Sequence, residues 1–159
     1  MTSMRVMMCL GLLSMSVGCV SSVQHTRFPV QNKPLENPEQ GRIYVVRPSS
    51  LGGAIPMKIY DGDQLIGSTG AKGYLCWERD AGKVVLTGKA ENTSTLCVDV
   101  EKGQVYYVLQ SMSMGVMMAR NKLELMDAVK GEKALKGCKQ PNLSPEKKQT
   151  RVASTTNAK

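Results

Sequence analysis

From Gly41 onward the chain is cut into short β-rich runs, closed by turn-forming residues about every ten positions, and that rhythm points to a sheet protein. Arg42 to Arg47 is a strand stopped by Pro48. Met57–Tyr60 and Gln64–Gly67 flank Asp61-Gly62-Asp63, a strong hairpin signal. Gly73–Glu78 and Lys83–Thr87 flank Asp80-Ala81-Gly82, and Ser94–Val100 and Gln104–Gln110 flank Glu101-Lys102-Gly103. Within Ser94–Val100, Leu96, Val98 and Val100 share one face while Thr95, Cys97 and Asp99 share the other, the alternation of a sheet with one buried side. The expectation is an all-β fold, an antiparallel β-sandwich or small barrel-like domain. Met112–Arg120 reads as a further strand and Lys122–Met126 as the last. Asp127 then N-caps one short C-terminal helix over Ala128–Lys136, stopped by Gly137.

The first nineteen residues have a different texture. Arg5 gives a positive start, Val6 to Val17 an apolar run, and Ser16-Val17-Gly18 a small-residue end before Cys19. That is the layout of a secretory signal, whose apolar part runs to roughly 7–15 residues. It falls short of the roughly 20 that a membrane-spanning helix needs. The cysteine at the cut position resembles the lipobox of bacterial lipoproteins, which implies a signal peptide over 1–18 and a covalent lipid on Cys19. The family usually has Leu three residues before the cysteine, where this chain has Ser16. The same small residues would also suit ordinary signal peptidase, leaving an exported soluble chain with a free thiol. Val20 follows Cys19 in place of the Asp that retains many lipoproteins in the inner membrane. The expected location is therefore the cell envelope, anchored in the outer membrane and facing the periplasm.

Residues 19–40 read as a lipidated cysteine and flexible tether, proline- and amide-rich and without periodicity. Extended at roughly 3.3 Å per residue, such a stretch reaches about 70 Å. The only histidine, His25, and the only phenylalanine, Phe28, fall inside it. The folded domain is expected over 41–138 and a disordered basic tail over 139–159. Half of the net charge of +8 lies in that short tail: Lys139–Lys159 holds five basic residues against one acid, while Gly41–Cys138 holds thirteen against ten. In an envelope protein the counterions are anionic lipid headgroups or cell-wall polymers, not nucleic acid.

Gly41-Arg-Ile-Tyr-Val-Val-Arg-Pro-Ser-Ser-Leu-Gly-Gly53 is followed by IYDGDQLIG, GYLCWERDAGK, VEKGQVYYV and NKLELMDAVKGEKALKGCK. Together these segments resemble an uncharacterised family of bacterial envelope lipoprotein domains, over about Gly41 to Cys138. One departure is Asp80-Ala81-Gly82, where the family often has Pro-Pro-Gly. The resemblance implies a β-rich envelope domain and agrees with lipid on Cys19. It transfers no catalytic residue and implies no cofactor.

The residues themselves offer few chemical sites. With no histidine between Gly41 and Cys138, a Ser-His-Asp or Cys-His arrangement is unavailable and no enzyme is expected. Cys76, Cys97 and Cys138 form an odd set for an oxidising compartment. Cys76 and Cys97 could pair if a strand between them crosses to a second sheet; in a flat meander they lie about 9.6 Å apart, too far for a bridge. Met112, Met114, Met117 and Met118 suggest an alternative role in handling copper, since thioethers are soft ligands, but methionine also fills gaps in cores. The loop carrying Ser49, Gly52 and Gly53 is a candidate contact for a partner, such as another envelope protein, because loops on a rigid scaffold carry binding. The tyrosines and Trp77 are core or a recognition face.

Overall fold

The computed structural model describes residues 20–31, 33–114 and 119–144. Among these residues ten strands form two stacked sheets. They are β1 (Val23–Gln24), β2 (Gln40–Arg47), β3 (Met57–Asp61), β4 (Gln64–Thr69), β5 (Gly73–Asp80), β6 (Gly82–Lys89), β7 (Thr93–Val100), β8 (Val105–Met114), β9 (Ala119–Met126) and β10 (Asn142–Leu143), with helix α1 (Ala128–Lys136) between the last two. One sheet has the order β10-β1-β4-β3-β6-β7 and the other β5-β2-β8-β9. Neither closes on itself, so the fold is a sandwich and not a barrel.

The pairing is mixed, where the turn rhythm suggested antiparallel strands throughout. β2 runs antiparallel to β5 but parallel to β8, and β1 runs parallel to β10. The reason lies at two of the turns. At Gly82 (φ 133°) and again around Gly103 (φ 72°) the chain passes from one sheet to the other instead of folding back as a hairpin. Asp61–Gln64 and the return from β6 to β7 do form hairpin pairings.

β2 is the hub. Ile43 and Val45 face the inter-sheet core with Ile59, Leu75, Leu86 and Val108. Tyr44 and Val46 point the other way, into a second cluster with Phe28, Tyr74, Cys76 and Tyr107 that is covered by Ala134 and Leu135 of α1. A strand buried on both faces reads as an unbroken apolar run, which is what Ile43-Tyr-Val-Val46 is. The Tyr44 and Tyr107 rings stack at 5.2 Å and 10°, a geometry worth about 0.5–1.5 kcal/mol beyond area burial. The helix starts and stops where its signals place it. Asp127 Oδ1 accepts from Lys130 N at 2.8 Å, and the Gly137 N–H closes the last turn on Ala134.

Two boundaries differ from the sequence reading. Residues 20–31 are packed against the domain and not a loose leash: β1 pairs with β4, Gln24 is fully buried and Phe28 belongs to the second cluster. Residues 139–144 likewise belong to the fold through β10. The rest of the expected basic tail lies outside the described residues.

Candidate functional site

β2 and β8 both run toward one end of the sandwich, and β3, β5, β7 and β9 start there. This end carries the connections 48–56, 70–72 and 90–92. Arg47, the last residue of β2, sits beneath them, 1% exposed. Its Nη1 donates to Ile55 O (2.8 Å) and Thr69 O (3.3 Å), and its Nη2 to Leu51 O (3.0 Å) and Gly52 O (2.8 Å). Burial pulls the guanidinium below its ordinary value, but arginine remains protonated in proteins. The cation thus fixes the Ser49–Pro56 loop through its carbonyls. Beside it, Thr69 Oγ1 donates to Gln110 Oε1, Gln110 Nε2 to Asn121 Oδ1 (3.2 Å), and Asn121 Nδ2 to Gly88 O (2.7 Å), tying both sheets together.

The N-terminal segment enters at the same end. Val20 N donates to Gly53 O at 3.0 Å and Gly70 N to Ser22 Oγ at 2.9 Å. Gly70 allows this approach, since a Cβ there would stand 1.8 Å from Val20 O. The chain then runs along β4 and beside β5. The three loop residues singled out by sequence therefore have local work. Ser49 Oγ accepts from Leu51 N (3.0 Å), Gly52 adopts φ 64° against Met112, and Gly53 receives Val20. A Cβ on Gly52 would lie 2.2 Å from Met112 Sδ. Leu51 at the loop tip is 45% exposed.

On the flank, a groove of about 280 Å³ is lined by Arg27, Glu36, Gln64, Trp77 and Glu78 among others. Its charges are matched in pairs: Arg42–Glu78 at 2.6 Å, nearly buried, and Arg27–Glu36 at 2.5 Å. Trp77 Nε1 donates to Asp61 Oδ2 at 2.8 Å, and Asp61 also holds Arg79.

Other expected sites are rearranged. Cys76 and Cys97 do not form a disulfide; both are free thiols, as is Cys138. The chain does cross sheets between them, but Cys76 faces the cluster under α1 while Cys97 faces solvent from the opposite outer surface. The whole sandwich core stands between the two sulfurs. Burial pushes the Cys76 thiol up to about 12 and the Cys138 thiol up to about 11. Met112 is buried against Met57. The side chain of Met114, and Met117 and Met118 altogether, lie outside the described residues, as does Cys19. Of the aromatic candidates, Tyr44, Tyr74, Trp77 and Tyr107 are core.

Arg47, Gln24, Gln110 and Asn121 went unmarked in sequence. Only Gln110 left a trace: it falls on the same strand face as Val108 and Met112, where an apolar residue is expected.

Residues 37–122 match a family model described as "Protein of unknown function (DUF2846)". The chain belongs to this family. The DUF2846 match runs from just before β2 into β9, so it includes Arg47 and its loop, while the segment 20–31 and α1 flank it. A similar curated protein is an "Uncharacterized protein" from Haemophilus influenzae (strain ATCC 51907 / DSM 11121 / KW20 / Rd), 27% identical over 106 residues. That alignment covers 65% of this chain and 63% of the relative, so the chain spans somewhat less than two thirds of its length. No solved structure matches the chain.

Proposed function

We propose that this DUF2846 protein is an exported lipoprotein, acylated on Cys19, whose sandwich serves as a binding or scaffolding module of the cell envelope at the periplasmic face of the outer membrane. The observation that carries the reading is the abutment of two features. An export-signal layout ends at Cys19, and the next residue, Val20, is already hydrogen-bonded to the domain. A cut before Cys19 would therefore remove the signal without touching a described element. Two or three acyl chains, at roughly 0.8 kcal/mol per buried CH₂, hold a domain on a bilayer far more firmly than one.

The module reads as non-catalytic because the charged groups of its flank groove are engaged with one another. Ligand recognition there uses the Gln64 amide. The test is metabolic labelling with an alkynyl fatty acid in cells expressing the full chain. Wild type takes up label and sediments with membranes, while Cys19→Ser does neither. A chain recovered from the soluble fraction with Met1 in place overturns the reading.

A further inference from the structure

The two ends of the sandwich differ in the balance of their exposed charges. At the end where Val20 enters, Lys58, Lys72, Lys89, Arg120 and Lys139 are exposed, with Glu91 as an acid among the described loop residues. Lys89 lies over the Tyr60 ring at 4.7 Å and Lys139 N donates to Lys72 O at 2.7 Å, so part of this cationic rim is held in place. At the far end, Glu39, Asp63, Asp80, Asp99 and Glu101 are exposed, with Lys83 opposite Asp99 and Lys102 paired to Glu39, so the balance there is acidic. The eight residues of β2 separate the ends, which at roughly 3.3 Å per residue is about 26 Å. That exceeds the screening length of about 8 Å at physiological salt several times over, so a charged surface touching one end is not felt at the other.

We infer, on the reading that Cys19 is acylated, that this cationic loop end is seated directly on the leaflet that holds the lipid, with anionic phospholipid headgroups under Lys72, Lys139 and Arg120 and Leu51 at the headgroup–acyl boundary. The chain length enforces it. Consecutive Cα atoms are about 3.8 Å apart, and Val20 is fixed to Gly53, so the acylated residue is one peptide from the loop surface. No spacer exists to lift the domain clear. The loop is stiff enough to act as a foot because the buried Arg47 holds its carbonyls from below. The far acidic end, repelled by the same surface, is presented to the aqueous space.

The experiment is hydrogen–deuterium exchange on the acylated full-length mature chain, in nanodiscs of zwitterionic lipid with an added anionic phospholipid, against the same chain in neutral detergent, with intact mass taken on each sample. In the anionic discs, amides of 49–56 and 70–72 should slow by about tenfold while those of 61–63 and 101–104 are unchanged. Lys72→Glu with Lys139→Glu should remove most of the difference and leave the acyl mass intact. Equal exchange at the loop end in disc and detergent, on a chain whose mass carries the acyl groups, refutes the seat and leaves the anchor standing. A mass without acyl groups overturns both. Equal protection in detergent on adding a soluble polyanion assigns the face to a polymer and refutes the membrane seat.

Discussion

The side-chain amide of Gln24 pairs with the backbone of Cys76 in both directions, donating from Nε2 to its carbonyl at 2.6 Å and accepting from its N–H at 2.9 Å. β5 is the outer strand of its sheet, and an unpaired backbone there would be a template for adhesion. One glutamine closes it in place of a strand. Gln24→Ala leaves a buried donor and acceptor without partners, at about 1–3 kcal/mol each. The urea midpoint should drop accordingly, and Gln24→Glu should be no better, since a carboxylate cannot donate to the Cys76 carbonyl.

Glycine inside a helix is disfavoured by roughly 1 kcal/mol relative to alanine, so propensity alone would make Gly131→Ala stabilising. The structure reverses that sign. A Cβ at 131 would stand 2.1 Å from Tyr107 Cγ, and Tyr107 is fixed by its stack on Tyr44. Thermal melts of Gly131→Ala should show a lower midpoint. Val129→Ala, on the 79% exposed side of the same helix, should be near neutral.

The three thiols should separate cleanly by reactivity. Among the described residues only Cys97 is an exposed cysteine, and burial raises the other two to about 12 and about 11. Alkylation of the native protein at pH 8 should modify Cys97 quickly and leave Cys76 and Cys138 to react only after denaturation, read by peptide mass.

The same shifts set a pH dependence. Cys76, Cys138 and Tyr74 (about 12) hold their protons more tightly folded than unfolded. Their contribution to stability is therefore complete below the unfolded values, near 9 for the thiols and 10 for the tyrosine, and is lost as pH climbs from there through the folded values. Urea unfolding across pH 7–11 should show falling stability above about pH 9, with a shallower fall in Cys76→Ala relative to its own value at pH 7.

Arg47→Met keeps much of the volume but leaves the carbonyls of Leu51, Gly52, Ile55 and Thr69 without their donor. Groups that lose a charged partner cost about 1.5–3 kcal/mol per bond at most, and the loop can recover part from water. The expected result is a loss of several kcal/mol, with amide exchange speeding up first in 49–56.

The elements of this fold were largely legible because their signals are local. Asp127 and Gly137 bound the helix as capping chemistry demands, and Asp61-Gly62-Asp63 turns a hairpin. Sheet membership was not legible, because Asp80-Ala81-Gly82 reads the same whether the next strand returns beside β5 or crosses to the other sheet. Residues 20–31 read as a tether for a related reason. Their attachment is through backbone and a lone glutamine amide, which leave no periodic pattern, and Phe28 reaches a cluster built from distant strands. Arg47 sat in plain view in the Arg42–Arg47 run, but a charge beside Pro48 has the look of an exposed strand end. Nothing local says that four loop carbonyls will close over it.

The parallel pairing of β2 with β8 has a consequence for the order of assembly. Arg42–Val46 finds Val105–Leu109 only after about sixty intervening residues have been placed, and the entropy of closing so long a loop must be met before the contact returns anything. While the chain is being delivered from its N-terminus, its most apolar strand therefore waits half-covered, with one hydrogen-bonding edge open. Maturation should be slow and sensitive to chaperones until β8 arrives, and a ribosome that stalls before residue 105 would release a sticky intermediate, not a smaller stable domain.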